Sequence, residues 1–436
     1  MVIRKISYYR VIVSLCLFMF LLSPVFGDEI SAVSFDKELP ENNIVTIQPD
    51  SLRILHNPLT GWVLYASMGV DAADFWAQYD HMYIPELGHN VSVTDYAHTL
   101  YIRASWTDFN PQEDVYGWKI DSNLRAYIEG AYQRNMRLAF RVVVDSRDKR
   151  TEFTPQFVKD AGAKGFMNKG KWSPYSDDSV FQKYYTKFVK ALAKDFNDPS
   201  KVEFIDGFGL GKWGEYHTMI YSTGDDTPKK AVFDWVTDIY SQAFDKVPVV
   251  INYHRWIGAG KDWVDDEHFA ADSEEMLEEA IKKGYSLRHD AFGMTTYYGS
   301  WERRFAKKYR NICPIIMEGG WIVKSHSYWQ DPRGYRKDSH EDVRRGEFDD
   351  SKEAHVNMMD FRFGDTESWF KDAFDLVRRF LREGGYRLYP SEISLPLEVS
   401  KKTTPTIKHC WNNMGWGYCP TNIPQWNQKY KVAFAL

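Results

Sequence analysis

Eight short apolar runs, each followed by a turn or a segment of helical spacing, constrain the fold of this chain more than any other feature. They are HNPLTGWVLYA (56–66), TLYIRASWTDF (99–109), RLAFRVVVDS (137–146), EFIDGFGLG (203–211), PVVINY (248–253), LRHDAFGM (287–294), CPIIMEGG (313–320) and HVNMMDF (355–361). Runs of this length bounded by turn residues read as buried strands. Segments 121–134, 180–196, 229–244, 273–283 and 369–383 read as helices. In 180–196 the positions Tyr184, Tyr185, Phe188, Val189 and Leu192 recur on one helical face. Eight short apolar strands alternating with helices, with allowance for long loops, predict a (β/α)8 TIM barrel over residues 51–385. A doubly wound sheet shares the alternation, but no Gly-x-Gly-x-x-Gly follows the first strand. The long segment 147–175, rich in charge, Gly and Pro, is expected to be a loop or lid over the barrel mouth.

The flanks differ in texture. Arg4 and Lys5 precede the apolar run 11–22, which Ser23 and Pro24 break; residues 1–27 therefore read as a secretory signal, with the mature chain starting near Asp28. The run is short for a membrane span, so a periplasmic or secreted protein without a transmembrane segment is expected. Residues 28–50 read as an irregular approach, and 386–436 as a β domain that stops on VAFAL without a return strand, hence an incomplete one. Cys410 and Cys419 are a candidate disulfide in an exported chain, whereas Cys313, before Pro314, reads as a buried small hydrophobe.

Composition excludes several function classes. A formal charge of -5 supplies no electrostatic reason to bind nucleic acid or anionic lipid. No Cys-x-x-Cys pair or histidine cluster points to zinc, and Asp265, Asp266 and Glu267 lack the ligand spacing of an EF-hand, so neither metal nor cofactor is expected. No Gly-x-Ser-x-Gly elbow is present, and nothing near Cys313 activates a thiol. The outlying quantity is aromatic content, 16 Trp, 27 Tyr and 27 Phe, which suits large cores and the faces of sugar rings alike.

Barrel chemistry gathers where strands end at the C-terminal face. Glu215 follows the fourth strand in FGLGKWGEYHTM, and Glu318 ends the seventh. Glycoside hydrolysis needs two such carboxyls, one donating a proton and the other attacking carbon or activating water. Glu215 is accordingly expected to be the acid/base and Glu318 the nucleophile, with Trp213, Tyr216 and Trp321 limiting hydration around the acid. Tyr297 is expected to orient Glu318, and Arg103 to serve the same anionic cluster. Further substrate-binding candidates are Asp145, His217, Asn252, Tyr253, His254 and Asp290, although strand alternation can turn Asp290 away. Arg147 and Arg255 belong to the same rim. Trp62, Trp106, Trp213, Trp301 and Trp321 are candidate stacking platforms.

Two resemblances follow from these residues. Segment 99–144, through Arg103, Trp106, Pro111, Glu113 and Trp118, resembles the second-to-third-strand region of clan A glycoside hydrolases, including β-galactosidase-like barrels. That resemblance implies acid/base and nucleophile roles at Glu215 and Glu318. Many clan members place Asn before the acid/base glutamate, where this chain has Gly214. Asn57-Pro58, Gly61-Trp62, residues 204–217, Glu318-Gly319-Gly320 and Gly385-Tyr386-Arg387-Leu388 resemble secreted bacterial proteins with the domain of unknown function numbered 4832. It covers residues 51–436 and implies a β-sandwich-like domain after the barrel. The expected partner is a polysaccharide or oligosaccharide, hydrolysed or, on the competing reading, bound without turnover; a secreted structural protein is the third.

Overall fold

The computed structural model describes residues 42–66, 68–147, 150–260, 267–293, 297–320, 340–362, 364–398, 401–402, 404–426 and 432–433. The signal segment, most of the approach segment, Asp265, Asp266 and Trp321 lie outside the described residues.

The eight apolar runs form a closed, all-parallel barrel: β1 Gly61–Tyr65, β2 Ala97–Ser105, β3 Arg137–Val143, β4 Val202–Asp206, β5 Val249–Asn252, β6 Tyr285–Phe292, β7 Ile315–Gly319 and β8 Met358–Asp360. Pairing of Met358 with Gly61 and of Met359 with Trp62 closes the ring. Helices Ala72–Asp80, Ser122–Gln133, Ser179–Phe196, Lys229–Ala243, Glu267–Lys282, Ser300–Tyr309, His340–Glu353 and Phe374–Glu383 follow β1 to β8 in turn. The expected (β/α)8 TIM barrel is thus the observed fold. Helix Ser179–Phe196 shows why these segments are helical. Asp178 caps it by accepting from Phe181 N at 2.9 Å, and Phe181, Tyr185, Phe188, Val189, Leu192 and Phe196 line its buried face.

Strand alternation builds the barrel interior in two layers. Val63, Tyr101, Ala139, Phe204, Val250, Ile316 and Met358 form an apolar cluster with Leu59, Ile423 and Trp426. Two residues further along the same strands, on the same face, come Tyr65, Arg103, Arg141, Asp206, Asn252, Glu318 and Asp360, and β6 adds Arg288 and Asp290. The polar layer therefore lies at the C-terminal ends of the strands.

The segment from Gly415 onward belongs to the barrel unit. Trp416 Nε1 donates to Val356 O at 2.9 Å, Asn422 Nδ2 to Ile312 O at 3.1 Å and Gln425 Nε2 to Gly284 O at 3.4 Å. Each acceptor lies just before β8, β7 or β6, so residues 416–425 run across the N-terminal ends of those strands.

A second unit joins the described N-terminal residues, up to Arg53, with Arg387–Met414. It is a three-stranded antiparallel sheet of Asn42–Thr46, Leu388–Pro396 and Lys408–Asn413. Arg387 ties its ends by donating to the Asp50 and Arg53 carbonyls at 2.9 and 2.8 Å. The β texture expected after residue 385 is present, but in a sheet that needs a strand from the approach segment. No distinct β-sandwich is formed among the described residues. Cys410 and Cys419 fall in different units and carry free thiols, so the expected disulfide is absent. Cys313 is buried as anticipated, and burial pushes its thiol up to about 12.

The segment after β3 is an anchored excursion. It holds helix Gln156–Asp160 and the hairpin Gly165–Asn168/Lys171–Pro174. Thr107 N donates to Phe153 O at 2.9 Å and Ser146 N to Ser173 Oγ at 2.9 Å, fastening it to the ends of β2 and β3.

Candidate active site

The chain after β4 leaves regular backbone in order to turn Glu215 into the barrel mouth. Gly209, Gly211, Trp213, Gly214, Tyr216 and Thr218 all have φ between 50° and 80°. At Gly209 only glycine fits, because a Cβ would stand 2.3 Å from Val142 O. Trp213, Tyr216 and Thr218 carry side chains in this left-handed region, at a cost of about 1–2 kcal/mol each. Tyr216 N to Leu210 O at 2.9 Å, Lys212 N to His217 O at 3.0 Å and Tyr216 Oη to Lys229 O at 2.7 Å hold the turn. Such enforced strain is characteristic of residues that must present a functional group.

Glu215 meets a buried network built on two arginines. Arg141 binds Asp206 Oδ2 at 2.5 Å, Asp290 Oδ2 at 2.6 Å and Glu215 Oε1 at 3.4 Å. Arg288 binds Asp290 Oδ1 at 2.9 Å, Asp206 Oδ2 at 3.5 Å, Asp360 Oδ2 at 3.4 Å and Glu318 Oε2 at 2.6 Å. Arg141, Asp206, Arg288 and Asp290 thus form a ring of alternating charge, with Glu215 attached through Arg141 and Glu318 through Arg288. Tyr101 Oη donates to Asp206 Oδ2 at 3.0 Å beneath it. Both glutamates are 4% exposed.

The two carboxyls differ in company. Tyr297 Oη donates to Glu215 Oε2 at 2.9 Å and His217 Nε2 lies 3.4 Å from the same oxygen. His254 donates Nε2–H to Glu215 O at 2.7 Å while its Nδ1 accepts from Trp256 N at 3.1 Å, a pattern that fits a neutral imidazole. Burial and the charge of Asp290 raise the Glu215 carboxyl above its ordinary range. Glu318 faces Arg288 and, at 3.7 Å, Arg362. Burial, with Asp290 and Asp360 adding repulsion, nevertheless pushes it up to about 8, and burial pushes Asp360 up to about 6. The flanking guanidiniums hold Asp290 well below the usual carboxylate range despite its burial.

The other expected site residues divide cleanly. Arg103 donates to Tyr65 Oη at 3.2 Å and Trp213 O at 2.9 Å, and its charge acts on both glutamates. Trp213 is half-buried with Lys212 Nζ 4.2 Å above its ring. Asn252 faces the interior, its carboxamide oxygen and nitrogen buried without a hydrogen-bond partner. Tyr297 was expected to orient Glu318; its hydroxyl holds Glu215 instead. Asp290 was expected to bind a sugar hydroxyl or turn away, yet it faces inward and both its oxygens are engaged by guanidiniums.

Several candidates lie elsewhere. Trp106 is fully buried against Tyr185 and Phe188, where the helix Ser179–Phe196 covers it. Trp62 stacks on Phe361 at 4.3 Å and Trp301 on Phe305 at 5.0 Å, so these three rings are core, not sugar platforms. Tyr253, just after β5, points outward, its ring stacked on that of Phe305. Asp145 pairs with Arg147 at 2.5 Å, accepts from Ser173 Oγ at 3.3 Å, and lines a cleft with Phe166, Leu210 and Met219. Arg255 pairs with Glu302 at 3.0 Å.

Sequence reasoning passed over Arg141, Asp206, Arg288, Asp360 and Arg362 as site residues. A signal was present for four of them: each is a charge inside a barrel strand, two positions beyond an inward-facing residue. Among the described residues, no group of three or more His, Cys, Asp or Glu is arranged to hold a metal ion. No helix among them is long and apolar enough to cross a membrane.

No family model matches the chain, and no curated protein matches it. Among solved structures it is similar to endo-glycoceramidase II from Rhodococcus sp. as a lactosyl-enzyme intermediate, at 13% identity over 76% of this chain and 79% of that one, with a TM-score of 0.41. It is also similar to the exo-beta-1,4-mannosidase Op5Man5 from Opitutaceae bacterium strain TAV5, at 12% identity, 74% and 55% coverage and TM-score 0.39. A third is Pseudomonas stutzeri endoglucanase Cel5A, at 8% identity, 74% and 94% coverage and TM-score 0.41. With TM-scores this low, the barrel is defined by its own strand pairing.

Proposed function

We propose that this chain is an exported glycoside hydrolase of the retaining type, acting on a polysaccharide or oligosaccharide, with Glu215 as acid/base and Glu318 as nucleophile. One observation carries the reading: carboxyls from the ends of β4 and β7 attach to the same buried arginine–aspartate ring in the barrel mouth. In the first step Glu215 gives its proton to the leaving glycosidic oxygen while a Glu318 oxygen bonds the anomeric carbon and the carbon–oxygen bond breaks. In the second, water attacks that carbon, Glu215 takes the water proton, and Glu318 departs as carboxylate. Tyr297 and His217 orient the acid; Arg288 and Arg362 stabilise the nucleophile's charge.

Burial favours a second reading, glycan binding without turnover: with Glu318 pushed up to about 8, its charged form is the minority at neutral pH. The test is a diverse glycan panel with product anomers followed by NMR. The hydrolase reading expects net retention, and a loss of about 10²–10⁴-fold in kcat for Glu215→Gln and Glu318→Gln. Binding without turnover across the panel, or turnover surviving both substitutions, would sink it.

A further inference from the structure

Asp290 is left without a role by the two-glutamate scheme, and its surroundings supply one. It sits on β6 between Arg141 Nη1 at 2.6 Å and Arg288 Nε at 2.9 Å, and the same Arg141 nitrogen lies 3.4 Å from Glu215 Oε1. Two carboxyl oxygens that share one guanidinium nitrogen lie within about 6 Å of each other, where a negative charge on one disfavours a second on its neighbour. Asp290 has two close guanidiniums; Glu215 has one, at 3.4 Å. Coulombic energy falls with distance, so the negative charge belongs on Asp290 and the proton on Glu215.

The donors and cations facing Glu215 come from several elements and favour its ionised form, so the negative charge of Asp290 acts against them. From β2 comes the charge of Arg103, and from β3 Arg141, whose tightest bonds go to Asp206 and Asp290. His254, after β5, donates to the Glu215 carbonyl and leaves its carboxyl alone. Tyr297 donates to Oε2, and His217, from the loop that carries Glu215, lies near that oxygen.

Resting on the reading of Glu215 as the acid, we propose that Asp290 is a positioning residue: its carboxylate, clamped between Arg141 and Arg288, keeps a proton on Glu215.

The experiment follows side-chain carboxyl ¹³C signals of the full chain, labelled at Glu and Asp, through a pH titration, with Glu215→Gln and Asp290→Asn providing assignments. In the unaltered protein the Glu215 signal should titrate above the ordinary carboxylate range, while Asp290 stays ionised below it. In Asp290→Asn the Glu215 midpoint should fall by about one pH unit or more, a tenfold or greater change in proton affinity, and Asp290→Glu should restore it. The basic limb of kcat should move to lower pH by the same amount, with KM little changed. An unshifted Glu215 midpoint in Asp290→Asn overturns the proposal. Should that variant not fold, the unaltered chain and Asp290→Glu decide: Glu215 titrating in the ordinary range, or before Asp290, overturns it. A shifted midpoint with no turnover on any glycan retires the hydrolase reading and leaves the proton pairing standing.

Discussion

The two ends of the barrel interior are made by the same strands and the same alternation, yet they do opposite things. At the N-terminal end, Val63, Phe204, Ile316 and Met358 pack against Leu59, Ile423 and Trp426. Two residues on, the strands turn to Arg141, Asp206, Arg288, Glu318 and Asp360, nearly all of them fully buried. The first layer stabilises by removing apolar area from water. The second is costly to desolvate and is tolerated because each charge meets an opposite one. The lesson is that the inward face of one strand set can hold a structural core and a chemical site one pleat apart.

That contrast can be broken from either end. The largest effect is expected at the charged layer: Arg141→Met leaves Asp206 and Asp290 short of a partner and should cost about 3–5 kcal/mol in chemical denaturation. Unchanged stability would mean the ring is not buried as described. At the apolar end Trp426→Ala should cost a comparable or slightly smaller amount, about 3–4 kcal/mol. Its kcat per folded molecule should be unchanged, and a fall in kcat would show that the two ends are coupled.

A pH series sharpens the comparison. Glu318 is pushed up to about 8 by burial, above its value in the unfolded chain, so it binds more protons folded than unfolded across the interval from about 4.3 to 8. Stability contributed by its neutral form is present at the acid end and lost as pH rises through that interval, by at most about 1.4 kcal/mol per pH unit. Glu318→Gln cannot ionise, so the stability difference should move in its favour with rising pH. A flat difference would place Glu318 in the ionised state throughout. The smallest effect is expected in the strained turn, where Thr218→Gly at φ 50° should stabilise by about 1 kcal/mol. Destabilisation in thermal melts would show that its hydroxyl contact to His217 outweighs the backbone strain.

The barrel was legible because its signal is repeated: eight apolar runs at short spacing coincide with the eight strands. The placement of Glu215 and Glu318 in the barrel mouth was legible because strand ends are where such barrels gather their polar groups. Arg141 was not, since a single arginine in RLAFRVV reads equally as a residue facing water or one facing the barrel axis. Trp106 and Trp62 misled for the converse reason: their chemistry suits a sugar ring, and only the covering helices reveal them as core. Tyr297 was placed near the right cluster but on the wrong glutamate. The small sheet escaped because its first strand pairs with a segment about 350 residues further along the chain.

The order of strands and helices, and hence the barrel, is written in local periodicity, which depends on neighbours in the chain and survives without knowledge of the rest. Which charged groups surround each carboxyl was decided only in three dimensions. Charge state depends on distance to groups contributed by β2, β3, β6 and β8, and no one-dimensional pattern encodes those distances.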